Sequence, residues 1–182
     1  DEVEEIVRRI EEVLKDLRRR LETLARESRD LVRKIKEELR RHSDESRRLL
    51  ERIKERIRRD GSGGELVRDV ERLLKESSDT LEELKRRVRE LLERSSKKVE
   101  DLVREAEKVL KKLEEDVKRM RDKGKGTDEL KKEADRVKKE IRDMLRKLKK
   151  INDDLIREIE EALKDNERTN REIIRRIEEE LR

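Results

Sequence analysis

The stretch VEEIVRRIEEVLKDLRRRL, residues 3–21, decides the fold. Its apolar residues fall at Val3, Ile6, Ile10, Val13, Leu17 and Leu21, in steps of 3, 4, 3, 4 and 4. The same steps recur through Leu24, Ser28, Leu31, Ile35 and Leu39, and again through His42, Ser46, Leu49, Ile53 and Ile57. Five steps span 18 residues, a period of about 3.6, which is that of a straight α-helix. A stripe recurring every 3.5 residues or so would wind into a left-handed supercoil. This one predicts a helix with no reason to coil.

The pattern is copied twice further along the chain. It stops at Asp60-Gly61-Ser62-Gly63-Gly64 and again at Lys123-Gly124-Lys125-Gly126. Gly61 suits the left-handed position after a helix. Ser62 with Glu65 matches the S-x-x-E capping box, and Thr127 or Asp128 is the expected N-cap of the third segment. The expectation is therefore one domain over 1–182: helix 1 about 1–59, loop 60–64, helix 2 about 65–121, loop 122–127, helix 3 about 128–182. Three helices of about 55 residues joined by short loops must pack up-down-up, as an all-α, antiparallel three-helix bundle with almost no twist. Each helix would be about 80–85 Å long at 1.5 Å per residue. Flanking residues such as Leu14, Val32 and Leu50 widen each stripe to roughly 120–140°, enough to touch two neighbours.

Composition narrows the function classes. Charged residues make up 59% of the 182 and apolar ones 30%, while Pro, Cys, Trp, Tyr and Phe are absent. Such a charge content suits disorder, but a disordered chain holds no register over so long a stretch. The net charge of +5 comes from mixed rather than segregated signs. Acid and base recur four residues apart, as in Glu5 with Arg9, Asp16 with Arg20 and Asp30 with Lys34, each adding about 0.2–0.5 kcal/mol of helix support. With no aromatic to stack on a base, nucleic acid is not an expected partner. No apolar run approaches the roughly 20 residues that cross a membrane, so none is expected there either. The acidic N-terminus does not read as a signal peptide, and nothing fixes a compartment.

The informative residues are polar groups within the stripes. Antiparallel pairing through loop 1 sets Ile57 beside Leu66 and Val3 beside Met120, and loop 2 sets Met120 level with about Leu130. Ser28 then meets Ser95 and Ser96, with Asn152 within a turn. His42, Ser43 and Ser46 meet Ser77, Ser78 and Thr80, with Asn166, Thr169 and Asn170 at the same height. Polar groups from three helices thus fall into two layers. A buried hydroxyl or amide without a partner costs about 1–3 kcal/mol, so a network that closes only in one alignment disfavours shifted helices.

Catalytic and metal readings of these residues fail on chemistry. His42 is the only histidine and there is no cysteine, so no metal ligand set is expected. The serines lack a base in the first layer and an oxyanion site in both. Gly124 and Gly126 lack the G-K-[ST] ending and the preceding strand of a phosphate loop. No enzyme activity, cofactor or small-molecule substrate is expected.

Taken together, the 18-residue repeat in all three helices, the G-S-G-G connector, the Arg/Lys/Glu surface and the aligned Ser/Asn/His layers resemble de novo designed helical bundles. The resemblance is to parametrically generated straight bundles carrying buried hydrogen-bond networks, and it covers essentially the whole chain. It implies a structural scaffold with no natural substrate, whose polar layers set helix register and pairing. Within that class, members stand alone, or bind a designed partner helix, or form homo-oligomers. A monomer would require no partner.

Overall fold

The computed structural model describes residues 2–61, 64–125 and 128–182. Three α-helices hold nearly all of them: α1 Glu2–Asp60, α2 Gly64–Asp122 and α3 Asp128–Leu181. No strand occurs among the described residues. The helices run long because nothing interrupts them: no proline removes a donor, and all glycines fall between the apolar stripes. Asp1, Ser62, Gly63, Gly126 and Thr127 lie outside the described residues, and with them the capping box at Ser62 and the N-cap at Thr127.

The two helix ends that precede loops stop by backbone geometry. Gly61 has φ 72°, and its N–H donates to the Ile57 carbonyl at 2.9 Å, a left-handed cap that glycine adopts without a Cβ clash. At the second break Gly124, φ 70°, donates to the Arg121 carbonyl at 3.0 Å, and Lys125 donates to the Met120 carbonyl at 2.9 Å. These are the paired bonds of a Schellman motif.

Packing groups the chain into two units, residues 1–29 with 94–155 and residues 30–93 with 156–182. Each contains a section of all three helices. In the first, Leu17, Leu24, Leu102, Ala106, Val137 and Ile141 are buried in one apolar cluster, and Ile6, Met120 and Leu130 form another. Ion pairs Arg20–Glu105 and Glu27–Lys98 join α1 to α2. Arg18–Glu140 joins α1 to α3, and Glu114–Lys138 joins α2 to α3. In the second unit, Leu50, Ile53, Leu66, Val70, Ile173 and Ile177 are buried together. There the corresponding pairs are Glu38–Arg87 and Arg56–Asp69, then Lys36–Glu158, then Lys85–Glu167.

Residue numbers in these pairs add to 125 across α1–α2 and to 252 across α2–α3, and they differ by 122 across α1–α3. Constant sums mark antiparallel neighbours and a constant difference marks parallel ones. Each unit is therefore an up-down-up three-helix bundle, in the alignment that loop lengths predict to within about half a turn.

Two local expectations are overturned. On α1 one edge of the stripe is open: Val13 is 36% exposed and Leu31 and Leu49 are half-buried, whereas the flanking Leu14, Val32 and Leu50 are 3–5% exposed, as buried as Leu39 and Ile53 at the stripe's centre. Val13 and Leu49 lie along open grooves of the α1–α2 seam, so the side turned toward α3 is the more enclosed one. The expected pairing of Asp16 with Arg20 is replaced too. Asp16 takes Arg19 at 2.7 Å, which frees Arg20 to cross to Glu105. Likewise Asp30 pairs with Arg33 rather than Lys34. Of the three pairs cited from sequence, Glu5–Arg9 forms as expected, at 3.2 Å.

Fully buried Ile159 (0% exposed) and exposed Val13 (36% exposed) give a direct test of this packing. Ile159→Ala is expected to cost about 2–5 kcal/mol through lost burial and a residual cavity, and Val13→Ala to change stability by no more than about 0.5 kcal/mol. Urea unfolding followed by far-ultraviolet circular dichroism measures both.

Candidate functional site

The buried polar groups are Ser28, His42, Ser46 and Asn166, each 4–6% exposed. They sit on apolar faces because the stripe period carries them there, two of them replacing the apolar residue at equivalent points of successive repeats, Ser28 and Ser46. All else in the two layers is half-buried or exposed.

In the first layer the Oγ atoms of Ser28 and Ser95 are 3.4 Å apart, long for a hydroxyl pair. Ser96 and Asn152 are half-buried beside the same face. Among the described residues neither is hydrogen-bonded to Ser28 or Ser95, so the layer amounts to one weak contact.

The second layer is better connected. Asn166 Nδ2 donates to the Leu39 carbonyl and to Ser43 Oγ, both at 2.8 Å. Since a carbonyl only accepts, the amide nitrogen must face Leu39, which fixes the orientation of the side chain. Oδ1 of Asn166 is buried without a donor, which costs about 1–3 kcal/mol. His42 Nε2–H donates to the Ser77 carbonyl at 3.4 Å. Ser46 is buried, and Thr169 and Asn170 are half-buried at this level. Two expected members are not there: Ser78 and Thr80 are exposed. Ser78 is about 100° further round α2 than Ser77. Thr80 Oγ1 instead donates to the Glu76 carbonyl of its own helix at 2.9 Å, the local bond that hydroxyls in helices favour.

Alignment of polar side chains could not reveal two of the partners used, because Leu39 and Ser77 contribute backbone carbonyls. It also gives no sign of the ion pairs that close the seams around the second layer. Lys85 Nζ lies 2.5 Å from Glu167 and 3.3 Å from Glu82. Its pKa is raised above the ordinary lysine value, chiefly by the hydrogen bond to Glu167. The Glu167 carboxyl is lowered in turn, chiefly by that to Lys85. In the first unit, Glu105 and Glu133 are lowered by hydrogen bonds from Arg20 and Arg136.

The chemistry available is donation and acceptance of hydrogen bonds. Among the described residues no group of three or more His, Cys, Asp or Glu side chains is placed to hold a metal ion, and no helix is long and apolar enough to cross a membrane.

No protein-family model matches the chain, and no curated protein matches it. Among solved structures it is similar to one described as a "Computationally designed three helix bundle", with 21% identity, 99% of this chain and 89% of that chain covered, and a TM-score of 0.42.

His42→Ala removes one part-buried hydrogen bond. The fold is expected to persist with stability lowered by about 1–3 kcal/mol, read from urea midpoints. The lowered carboxyls of Glu105, Glu133 and Glu167 set the acid limb. A carboxyl lowered on folding stabilises the fold above its unfolded pKa and loses that contribution as pH falls. Stability is therefore expected to hold from neutral pH to about 4.5, the ordinary carboxyl value, and to decline below it. The decline is modest because the pairs are solvent-screened. Urea midpoints taken from neutral pH down to about pH 3 measure it.

Proposed function

We propose that the chain is a designed structural scaffold whose fold is its function. In this reading the buried Ser, Asn and His groups specify which stretch of each helix faces which. The observation that carries it is Asn166, whose two donated bonds at 2.8 Å reach α1 across 127 and 123 residues of chain. Moved one turn toward the start of α1, that amide would face Ile35 and Leu39 and lose Ser43. The full set proposed for this role is Ser28, Ser95, Ser96 and Asn152 in one layer and His42, Ser43, Ser46, Ser77, Asn166, Thr169 and Asn170 in the other. Ser78, exposed in the structure, is left out.

Such groups contribute specificity more than stability, because replacing a buried polar group by an apolar one of similar size is often neutral or stabilising. The 18-residue repeat, the mixed-charge surface and the resemblance to designed bundles all support a scaffold rather than a catalyst. A second reading, a component of a helical assembly with a partner helix or further copies, is favoured by one observation: Val13, in the α1–α2 groove, remains 36% exposed.

Asn166→Leu separates register specification from stability. The variant is expected to unfold at an equal or higher urea concentration, yet to refold into a broader distribution of masses by light scattering with refractive-index detection. A variant as uniform as the parent would remove the specifying role from Asn166. For the parent, a mass near 22.2 kDa at low and high concentration supports the self-contained scaffold, and a concentration-dependent mass supports the assembly component.

A further inference from the structure

The apolar stripe has a weakness that follows from its regularity. Moved along its axis by one full repeat, every stripe residue that still lies beside its neighbour faces a stripe residue. The serines reject such a shift only in part. Ser28 and Ser46 are one repeat apart on α1, and Ser77 and Ser95 are one repeat apart on α2. After the shift, one serine of each helix still meets a serine.

Four ion pairs of the α1–α2 seam do not share this weakness; Glu27–Lys98 lies outside their column, since a shift in one direction would set Lys98 against Glu45. In the second unit Glu38 faces Arg87 at 3.4 Å and Arg56 faces Asp69 at 3.0 Å. In the first unit Arg20 faces Glu105, and Glu2 faces Lys123 at 4.0 Å. Along α1 these positions are one repeat apart, and their charges run minus, plus, minus, plus. Along α2 and its end the partners run plus, minus, plus, minus. A shift of one repeat sets Arg20 against Arg87 and Glu38 against Asp69, and in the other direction Glu38 against Glu105 and Arg56 against Arg87. Every one of these contacts is between like charges. The α1–α3 pairs carry no such information, since Arg18–Glu140 and Lys36–Glu158 have the same sign order and a shift would keep them attractive.

We propose that this alternation of sign is a register lock, which rejects pairing of α1 with α2 at an offset of one repeat. The inference rests on the reading of the chain as a scaffold with a specified register, and it adds the residues that guard the one error the core tolerates best. Within a single chain that error is already barred. The short connection between Asp60 and Gly64 spans at most about 14 Å, whereas one repeat of helix rises about 27 Å. The lock therefore acts between two copies of this chain, when α1 of one meets α2 of another during folding at high concentration. Its role is to keep staggered chains from holding on to each other.

The test reverses one pair at a time and keeps it attractive. Glu38→Arg with Arg87→Glu keeps the composition, the net charge and an attractive contact at that level, but leaves three successive α1 positions positive and their partners negative. Arg20→Glu with Glu105→Arg does the equivalent in the first unit. Parent and both double variants are unfolded in denaturant, refolded at high chain concentration in low salt, and sized by light scattering. The variants are expected to hold a several-fold larger fraction of dimers and larger species. The difference should close at about 1 M salt, where screening removes the parent's discrimination. Equal fractions in low salt, including none in any sample, would overturn the lock. That result would leave the buried layers untouched, because neither double variant alters a serine, asparagine or histidine. The Asn166→Leu comparison reads the layers separately.

Discussion

Five turns of α-helix take about 18 residues, and the structure depends on that coincidence of whole numbers. Because such a step returns a side chain to the same direction, an apolar stripe written with this repeat stays on one side of a straight helix for as long as it is continued. Neighbouring helices then keep a constant offset, and the ion pairs at 125, 122 and 252 register that constancy in each unit. Side chains at the stripe edges inherit the same repeat, which places charges in columns beside the apolar residues they cover.

Against this regular background the polar layers are exceptions, and they are uneven. The amide of Asn166 is pinned by two short bonds and yet strands its oxygen. The serine pair at 28 and 95 is at the limit of a hydrogen bond. In a low-dielectric core each polar atom either finds its partner or costs more than it would in water. Asn166 therefore carries both the gain of two well-made bonds and the cost of an unpaired oxygen. The seam ion pairs lie outside the core, where each is weak in water.

Much of this was legible in the sequence. Three helices, their ends and their alignment follow from stripe period, glycine position and loop length, quantities set by local backbone geometry. The residues at Ser28, His42, Ser46 and Asn166 announced their burial by interrupting an apolar stripe. What the pattern could not show was decided by neighbours. Leu14 outranks Val13 because α3 encloses one side of α1 more fully than α2 encloses the other. Arg20 leaves Asp16 because Glu105 is within reach. The partners at Leu39 and Ser77 are carbonyls, which every residue has and no sequence marks. Ser78 falls outside its layer for a simpler reason: one step along a helix turns a side chain by about 100°.

The constant offsets also make the chain a ruler. Inserting one whole repeat into each helix at the same level leaves every seam pairing as it was on both sides of the insertion, and lengthens each helix by about 27 Å. Length can therefore be graded in steps of one repeat, or in steps of two where the seam charges are to keep alternating. A step far from a whole number of turns would rotate the stripe away from its neighbours and expose it to water.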